Sequence, residues 1–138
     1  MVVLVQREVA GRFTAKPGTD DRGTAAVWLQ SGYDIDIVRI VKPTCFWPKP
    51  DVTSAVVRFR RSNRYGLSPE AAAKLMSVSK VAFQHRRKQM ASLYKSAGEI
   101  SADPDEIRAR LEACGASQTA RAEELSVEQW IRFSTRFI

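Results

Sequence analysis

Pro48 and Pro50 sit within the stretch Phe46-Trp47-Pro48-Lys49-Pro50-Asp51-Val52-Thr53-Ser54-Ala55-Val56-Val57-Arg58, and no other feature restricts the local backbone as tightly. Each ring fixes its own φ and pushes the preceding residue, Trp47 or Lys49, toward extended geometry, so no helix can run through the segment. The loop presents Phe46 and Trp47 with little conformational entropy left to lose. Rigid aromatics beside Lys49 suit a flat, anionic ligand. Ser54 to Arg60 then alternates, with Val57 and Phe59 on one face and Arg58 and Arg60 on the other, which is the period of a half-buried strand. On spacing alone, a tight connection whose aromatics fill core is the commoner reading.

Charge narrows the partner. The formal net charge is +7, and the stretch from Val57 to Lys95 holds ten basic residues against one acid, Glu70, leaving the rest slightly acidic. Arg58, Arg60, Arg61 and Arg64 leave the strand, and Lys80, Arg86, Arg87, Lys88 and Lys95 follow on helical sequence. A basic surface of this kind attracts phosphate backbones. A lipid-facing helix is a weaker reading, because the basic segment lacks a large apolar face. No apolar run approaches the ~20 residues that cross a bilayer, and no signal-like leader follows Met1, so a cytoplasmic protein is expected. Cys45 and Cys114 lie far apart without a C-x-x-C pair or clustered histidines, so neither a disulfide framework nor a metal site is expected. His85 is the one histidine, and no Cys-His or Ser-His-Asp grouping stands out. The seven glycines never fall into G-x-G spacing, so no cofactor-cradling loop can be argued.

A pass along the chain predicts two parts. Met1 to Val5 reads as a strand, Gln6 to Phe13 as a short helix, and Lys16 to Gly23 as a polar loop. A long strand region is expected from Ala25 to Val41, bent at Ser31-Gly32. After the connector Ser62 to Gly66, Ser68-Pro69-Glu70 has the cap, first-turn proline and early acid of a helix start. That helical pattern extends toward Ala97-Gly98, with a break near Phe83 to Arg86. Asp103-Pro104-Asp105-Glu106 and Ser126-Val127-Glu128-Gln129 carry capping-box spacing, and Cys114-Gly115 closes the helix between them. Trp130, Phe133 and Phe137 share a helix face. Association through an open sheet edge is expected from so short a sheet.

Read as F-x-P-x-P-x-V-x-S-A-V, the proline loop resembles the motif of the ribosomal RNA adenine N6,N6-dimethyltransferases and their erythromycin-resistance relatives. Val5-Gln6-Arg7-Glu8-Val9-Ala10, with Arg12, Ala15, Pro17 and Gly18, resembles the segment that family carries upstream of the loop. Phe83-Gln84-His85-Arg86-Arg87-Lys88 resembles its F-x-x-R-R-K helix, and Arg121-Ala122-Glu123-Glu124-Leu125-Ser126 resembles the R-A-E-E-L-S before its last helix. These four blocks, in order, span nearly the whole chain.

The resemblance implies an α+β chain: the terminal strands of a Rossmann-like methyltransferase sheet over residues 1–62, then a small helical RNA-binding domain over 63–138. It implies the C-terminal portion of the enzyme, starting around the fifth strand, since the Gly-rich turn, the acidic ribose contact and the Asn-Leu-Pro-Tyr-like turn are not found. S-adenosylmethionine would then serve the intact enzyme and not bind this chain alone. Phe46 would stack on the flipped target adenine, as a base must leave its stack before its amine is methylated, with Pro48 and Pro50 as supports. Lys49, Arg58, Arg86, Arg87 and Lys88 would meet small-subunit ribosomal RNA, with at least one of Arg86, Arg87 and Lys88 pairing internally. Glu123 and Glu124 are expected as helix-start charges or partners of Arg121. The rival reading is a non-catalytic RNA-binding or ribosome-assembly module. The chain also departs from the family: Arg22-Gly23-Thr24-Ala25-Ala26 stands for Tyr-Gly-Arg/Lys-Leu-Ser, and a common aromatic pair is replaced around Gln30-Ser31-Gly32-Tyr33.

Overall fold

The computed structural model describes residues 1–137. Strand β1 (Val2–Gln6) runs into helix α1 (Arg7–Thr14), and a polar loop leads to helix α2 (Thr24–Gly32) and strand β2 (Tyr33–Val41). The proline loop follows, then strand β3 (Ser54–Arg61). The remainder is helical: α3 (Pro69–Phe83), α4 (Pro104–Ala113) and α5 (Val127–Thr135), joined by turns that include 3-10 segments at Met90–Ser92, Gly98–Ile100 and Ala122–Glu124. The strands form one antiparallel sheet in the order β1-β3-β2. The α+β class read from the sequence is the class observed.

β3 holds the sheet together because it alternates strictly. Ala55, Val57 and Phe59 are buried with Ala10, and Val3, Val5, Phe13, Leu29, Tyr33 and Ile35 pack around them. Phe13 and Tyr33 meet the Phe59 ring edge-on, with centroids 5.8 and 6.0 Å away, a geometry the ring quadrupoles favour. β2 keeps pace through a bulge. Ile35 and Ile37 stand opposite Phe59 and Val57, and beyond the irregularity at Ile37/Arg39 it is Ile40 that opposes Ala55. The extra residue, Val38, shifts the alternation by one, so Arg39 lands opposite Val56 on the outer face. The outer face carries Val2 and Leu4, both more than half exposed.

Two expectations fail here. Ala25 to Gly32 is helix, not strand, and the bend expected at Ser31-Gly32 is the end of α2. Alanines at 25 and 26 favour helix, and the helical turn puts Ala26 and Val27 into the interior together. Tertiary burial outweighs the β-branched and aromatic residues that suggested a strand. In addition, α3 stops at Phe83, so Arg86, Arg87 and Lys88 occupy a non-helical turn rather than a helix.

Trp130 and Phe133 of α5 are fully buried beside Leu75 and Val78 of α3, Ile107 and Leu111 of α4, and Met90 and Tyr94. Val27 of α2 belongs to this cluster, so one helix of the first half is part of the helical core. Helix starts follow the sequence. The Ser68 hydroxyl accepts from the Ala71 amide (3.2 Å), and Ser126 and Gln129 form the reciprocal capping box, each such cap contributing about 1 kcal/mol. Asp103 holds the N-cap position of α4, but its side chain makes no capping bond.

Arg22 ties the two clusters together. It is fully buried. Its Nη1 donates to the Ala15 carbonyl at 2.8 Å and to Gln30 Oε1 at 3.4 Å, and its Nε donates to the Leu125 carbonyl at 3.2 Å. Nη2 has no partner, and burial pushes the guanidinium pKa down to about 10. Nearby, the Gly18 amide donates to the Glu123 carbonyl at 2.7 Å. Gly18 has φ of +80°, a conformation that glycine adopts without the Cβ penalty.

Candidate nucleic-acid interface

The proline loop leaves β2 through a 3-10 turn at Pro43–Cys45, in which the Cys45 amide donates to the Lys42 carbonyl and the Phe46 amide to that of Pro43. Phe46 is half-buried, whereas Trp47 is 96% exposed, with Pro48 and Lys49 exposed beside it. Within this chain Trp47 does not fill core, while Phe46 is partly packed. The Trp47-Pro48 peptide is cis. At the far end of the loop the Arg7 amide donates to the Thr53 carbonyl at 2.9 Å, fastening the loop to the start of α1.

Beside that junction lies an open cavity of about 460 Å³, lined by Gln6, Arg7, Glu8, Gly11, Asp21, Val52 and Thr53. It does not fit S-adenosylmethionine. Gly11 lies inside α1, and the positive-φ glycines, at 18, 66, 98 and 115, stand singly in loops and helix ends. None forms a strand-to-helix cradle for a nucleotide-type cofactor. Among the described residues no group of His, Cys, Asp and Glu could hold a metal ion, and no helix is long and apolar enough to cross a membrane.

The basic residues sort into spent and available cations. Asp36 Oδ2 accepts from both Arg58 (3.1 Å) and Arg60 (3.2 Å), and Asp34 accepts from Arg64 (3.1 Å). Two aspartates on β2 thus offset part of the positive charge of Arg58, Arg60 and Arg64. Arg86 Nη2 donates to the carbonyls of Asp20 and Arg22 and pairs with Glu123 Oε2 at 3.3 Å. Arg86 is thus the internally paired member of its trio. Arg87 and Lys88 are exposed, with no ion pair among the described residues. Glu124 instead accepts from the Arg121 amide at 2.7 Å.

These contacts bring two sequence-distant elements together. Asp21 lines the cavity that Val52 and Thr53 close from the proline loop, while the carbonyls on either side of Asp21 are gripped by Arg86. The loop at 20–22 is therefore bonded to the basic turn and faces the end of the proline loop across this cavity. Sequence reading missed Arg22 as the centre of this junction; its one signal was a cation placed between a helix and an apolar run, in a block departing from the family pattern.

The family described as "Ribosomal RNA adenine dimethylase" matches residues 1–138. The chain belongs to that family. Its relatives include proteins named ribosomal RNA small subunit methyltransferase A. The one from Lawsonia intracellularis is 37% identical over 137 residues, 99% of this chain and 48% of the relative. The one from Chlamydia trachomatis is 34% identical over 132 residues, 96% and 46%. The chain thus spans about half the length of these curated relatives. A dimethyladenosine transferase from Plasmodium falciparum shares the fold with a TM-score of 0.81, at 17% identity, over 99% of this chain and 56% of that one. The 23S rRNA methyltransferase ErmE does so with a TM-score of 0.66, at 21% identity, over 99% and 53%. These likenesses carry the fold alone: the sheet and helices of this chain have the arrangement found in about half of each of those two structures.

Proposed function

We propose that this chain is part of a small-subunit ribosomal RNA adenine dimethyltransferase, where it supplies the base-stacking loop and the surface that docks ribosomal RNA. Residues 1–62 carry the platform and 63–138 the docking helices, with α2 packed into both. The observation that carries this reading is the proline-held loop between β2 and β3, with Phe46 half-buried and Trp47 exposed next to it. A rigid pair of aromatic side chains presented beside Lys49 suits a ligand with a flat face and a negative charge. Phe46 is the residue we assign to the extruded adenine, with Pro48 and Pro50 as its supports and Lys49 as a phosphate contact. Arg87 and Lys88 are the free cations of the docking turn, with Arg58 in a shared ion pair beside them in role but weaker in charge.

Methyl transfer from S-adenosylmethionine to adenine N6 is assigned to the intact enzyme. The chain's own part is to hold the base flat and position the RNA. The family relation and the exposed basic turn also favour a pre-30S particle in the cytoplasm as the working context, and the free edges of β1 and β2 are where self-association would occur. Calorimetric titration of the chain with S-adenosylmethionine, alongside small-subunit ribosomal RNA binding over a salt series, tests the reading. RNA affinity falling steeply with salt, without cofactor heat, is expected. Cofactor heat from this chain, or no RNA binding, would overturn it.

A further inference from the structure

A second cavity, of about 370 Å³, lies where the end of β3, the end of α2 and the start of α3 converge. Its lining includes Trp28, Gly32, Tyr33, Arg61, Asn63 and Ser68. Trp28 is 40% exposed. Arg61 is exposed, and unlike Arg58, Arg60 and Arg64 it has no carboxylate partner among the described residues. The Asn63 side chain likewise has no hydrogen-bond partner there. Room is left at the end of α2, where a Cβ built on Gly32 would meet nothing within 4 Å.

We propose that this cleft binds one nucleotide of single-stranded RNA, its base against Trp28 and its phosphate at Arg61. An indole face takes any base by stacking, and a free guanidinium takes a phosphate in bidentate fashion. The Asn63 amide and Tyr33 hydroxyl supply hydrogen bonds at the base edge. A peptide is a poorer occupant, since the cleft presents a single cation and no long apolar groove. Tyr33 pairs with Arg61 at one end of the β2–β3 ladder and Val41 with Ser54 at the other, so the cleft and the Phe46 loop are separated by about 23 Å at roughly 3.3 Å per strand residue. The nucleotide held here is therefore not the target adenine. It is one lying several residues away, which makes the cleft a determinant of register. This inference extends the RNA-docking reading above.

The test uses adenosine monophosphate as the probe and the indole N–H signals of the chain's tryptophans, Trp28, Trp47 and Trp130, in 1H–15N spectra. Saturable shifts at the Trp28 indole and the Arg61 side chain are expected, weaker with adenosine, which lacks the phosphate. Gly32→Tyr fills the cleft and Arg61→Gln removes its cation; each should weaken binding roughly tenfold, the scale of one stacked base or one phosphate contact. An unchanged signal from buried Trp130 certifies the fold of each variant. No movement at Trp28, or shifts centred on Arg87 and Lys88 that persist in Gly32→Tyr, would overturn the proposal. Nucleotide binding at Trp28 without ribosomal RNA binding would sink the docking reading and leave the cleft standing; the reverse would sink the cleft alone.

Discussion

Replacing Arg86 by Ala separates a structural arginine from an RNA-binding one. Its Nη2 faces three acceptors, the carbonyls of Asp20 and Arg22 and the Glu123 carboxylate, but a single NH2 group carries only two protons, so at most two bonds form at once. A hydrogen bond to a charged group contributes ~1.5–3 kcal/mol when sheltered. Here the guanidinium is 43% exposed and Glu123 23% exposed, which moves the ion pair toward the ~0.2–1 kcal/mol of surface pairs. Together the loss is about 2 kcal/mol, a fall in melting temperature of roughly 6–10 °C for a chain of this size. Calorimetric melting of Arg86→Ala beside Arg87→Ala, with RNA affinity measured for both across a salt series, provides the comparison. Arg87→Ala should melt like the parent and reduce the salt slope by about one, while Arg86→Ala should do the reverse. An Arg86→Ala protein with unchanged melting and RNA affinity lost as in Arg87→Ala would refute the assignment.

Other positions give sharp outcomes. Trp130 is fully buried and its Nε1–H donates to the Ala122 carbonyl at 3.3 Å; Trp130→Ala should cost ~3–5 kcal/mol in denaturant titration, a large fraction of the ~5–15 kcal/mol of an ordinary domain. Burial holds the Tyr94 phenol, which donates to the Val78 carbonyl at 2.9 Å, well above its ordinary pKa. The native state keeps that proton where the unfolded chain releases it, so stability is full below pH ~10 and falls as pH rises beyond it. Tyr94→Phe should lose about 1 kcal/mol at neutral pH yet show a shallower alkaline decline. Arg22, with its pKa pushed down to about 10, contributes a slope of opposite sign above that pH in both proteins, so the difference between them isolates Tyr94. A thiol reagent should modify exposed Cys45 at once and Cys114, buried with its Sγ 3.1 Å from the Leu111 carbonyl, only after unfolding; two fast equivalents would mean that the end of α4 opens.

The proline loop, β3 and the capped helix starts were legible because each depends on interactions within a few residues. Prolines fix φ wherever they stand, and Ser126 with Gln129 completes its box locally. Thr24–Gly32 was misread because its apolar run is too short for periodicity to separate strand from helix; what decides is Val27 entering a core built by α3, α4 and α5, none of which is near it in sequence. The pairing of the charges was hidden for a similar reason. Arg58, Arg60 and Arg64 look like one basic stripe until β2 lies beside β3 and sets Asp34 and Asp36 against them. Arg86 matched a family block correctly, and even so its role depended on carbonyls more than sixty residues away.

The loop at 18–22 explains why the R-A-E-E-L-S block and the F-x-x-R-R-K block matter together. Gly18 donates to Glu123, Arg22 reaches the Leu125 carbonyl, and Arg86 closes on Asp20, Arg22 and Glu123. Three segments with no local reason to associate are thereby pinned to one another by bonds whose donors are two guanidinium groups and a glycine amide. Arg86 sits next to Arg87 and Lys88, and the pinned loop sits next to Thr53 at the root of the Phe46 loop. The consequence is mechanical. If the proposed roles hold, an RNA backbone at Arg87 and Lys88 is tied through Arg86 to the loop at 20–22, which shares a cavity lining with Val52 and Thr53 at the root of the Phe46 loop, so Arg86→Ala should loosen the spacing between the two proposed surfaces.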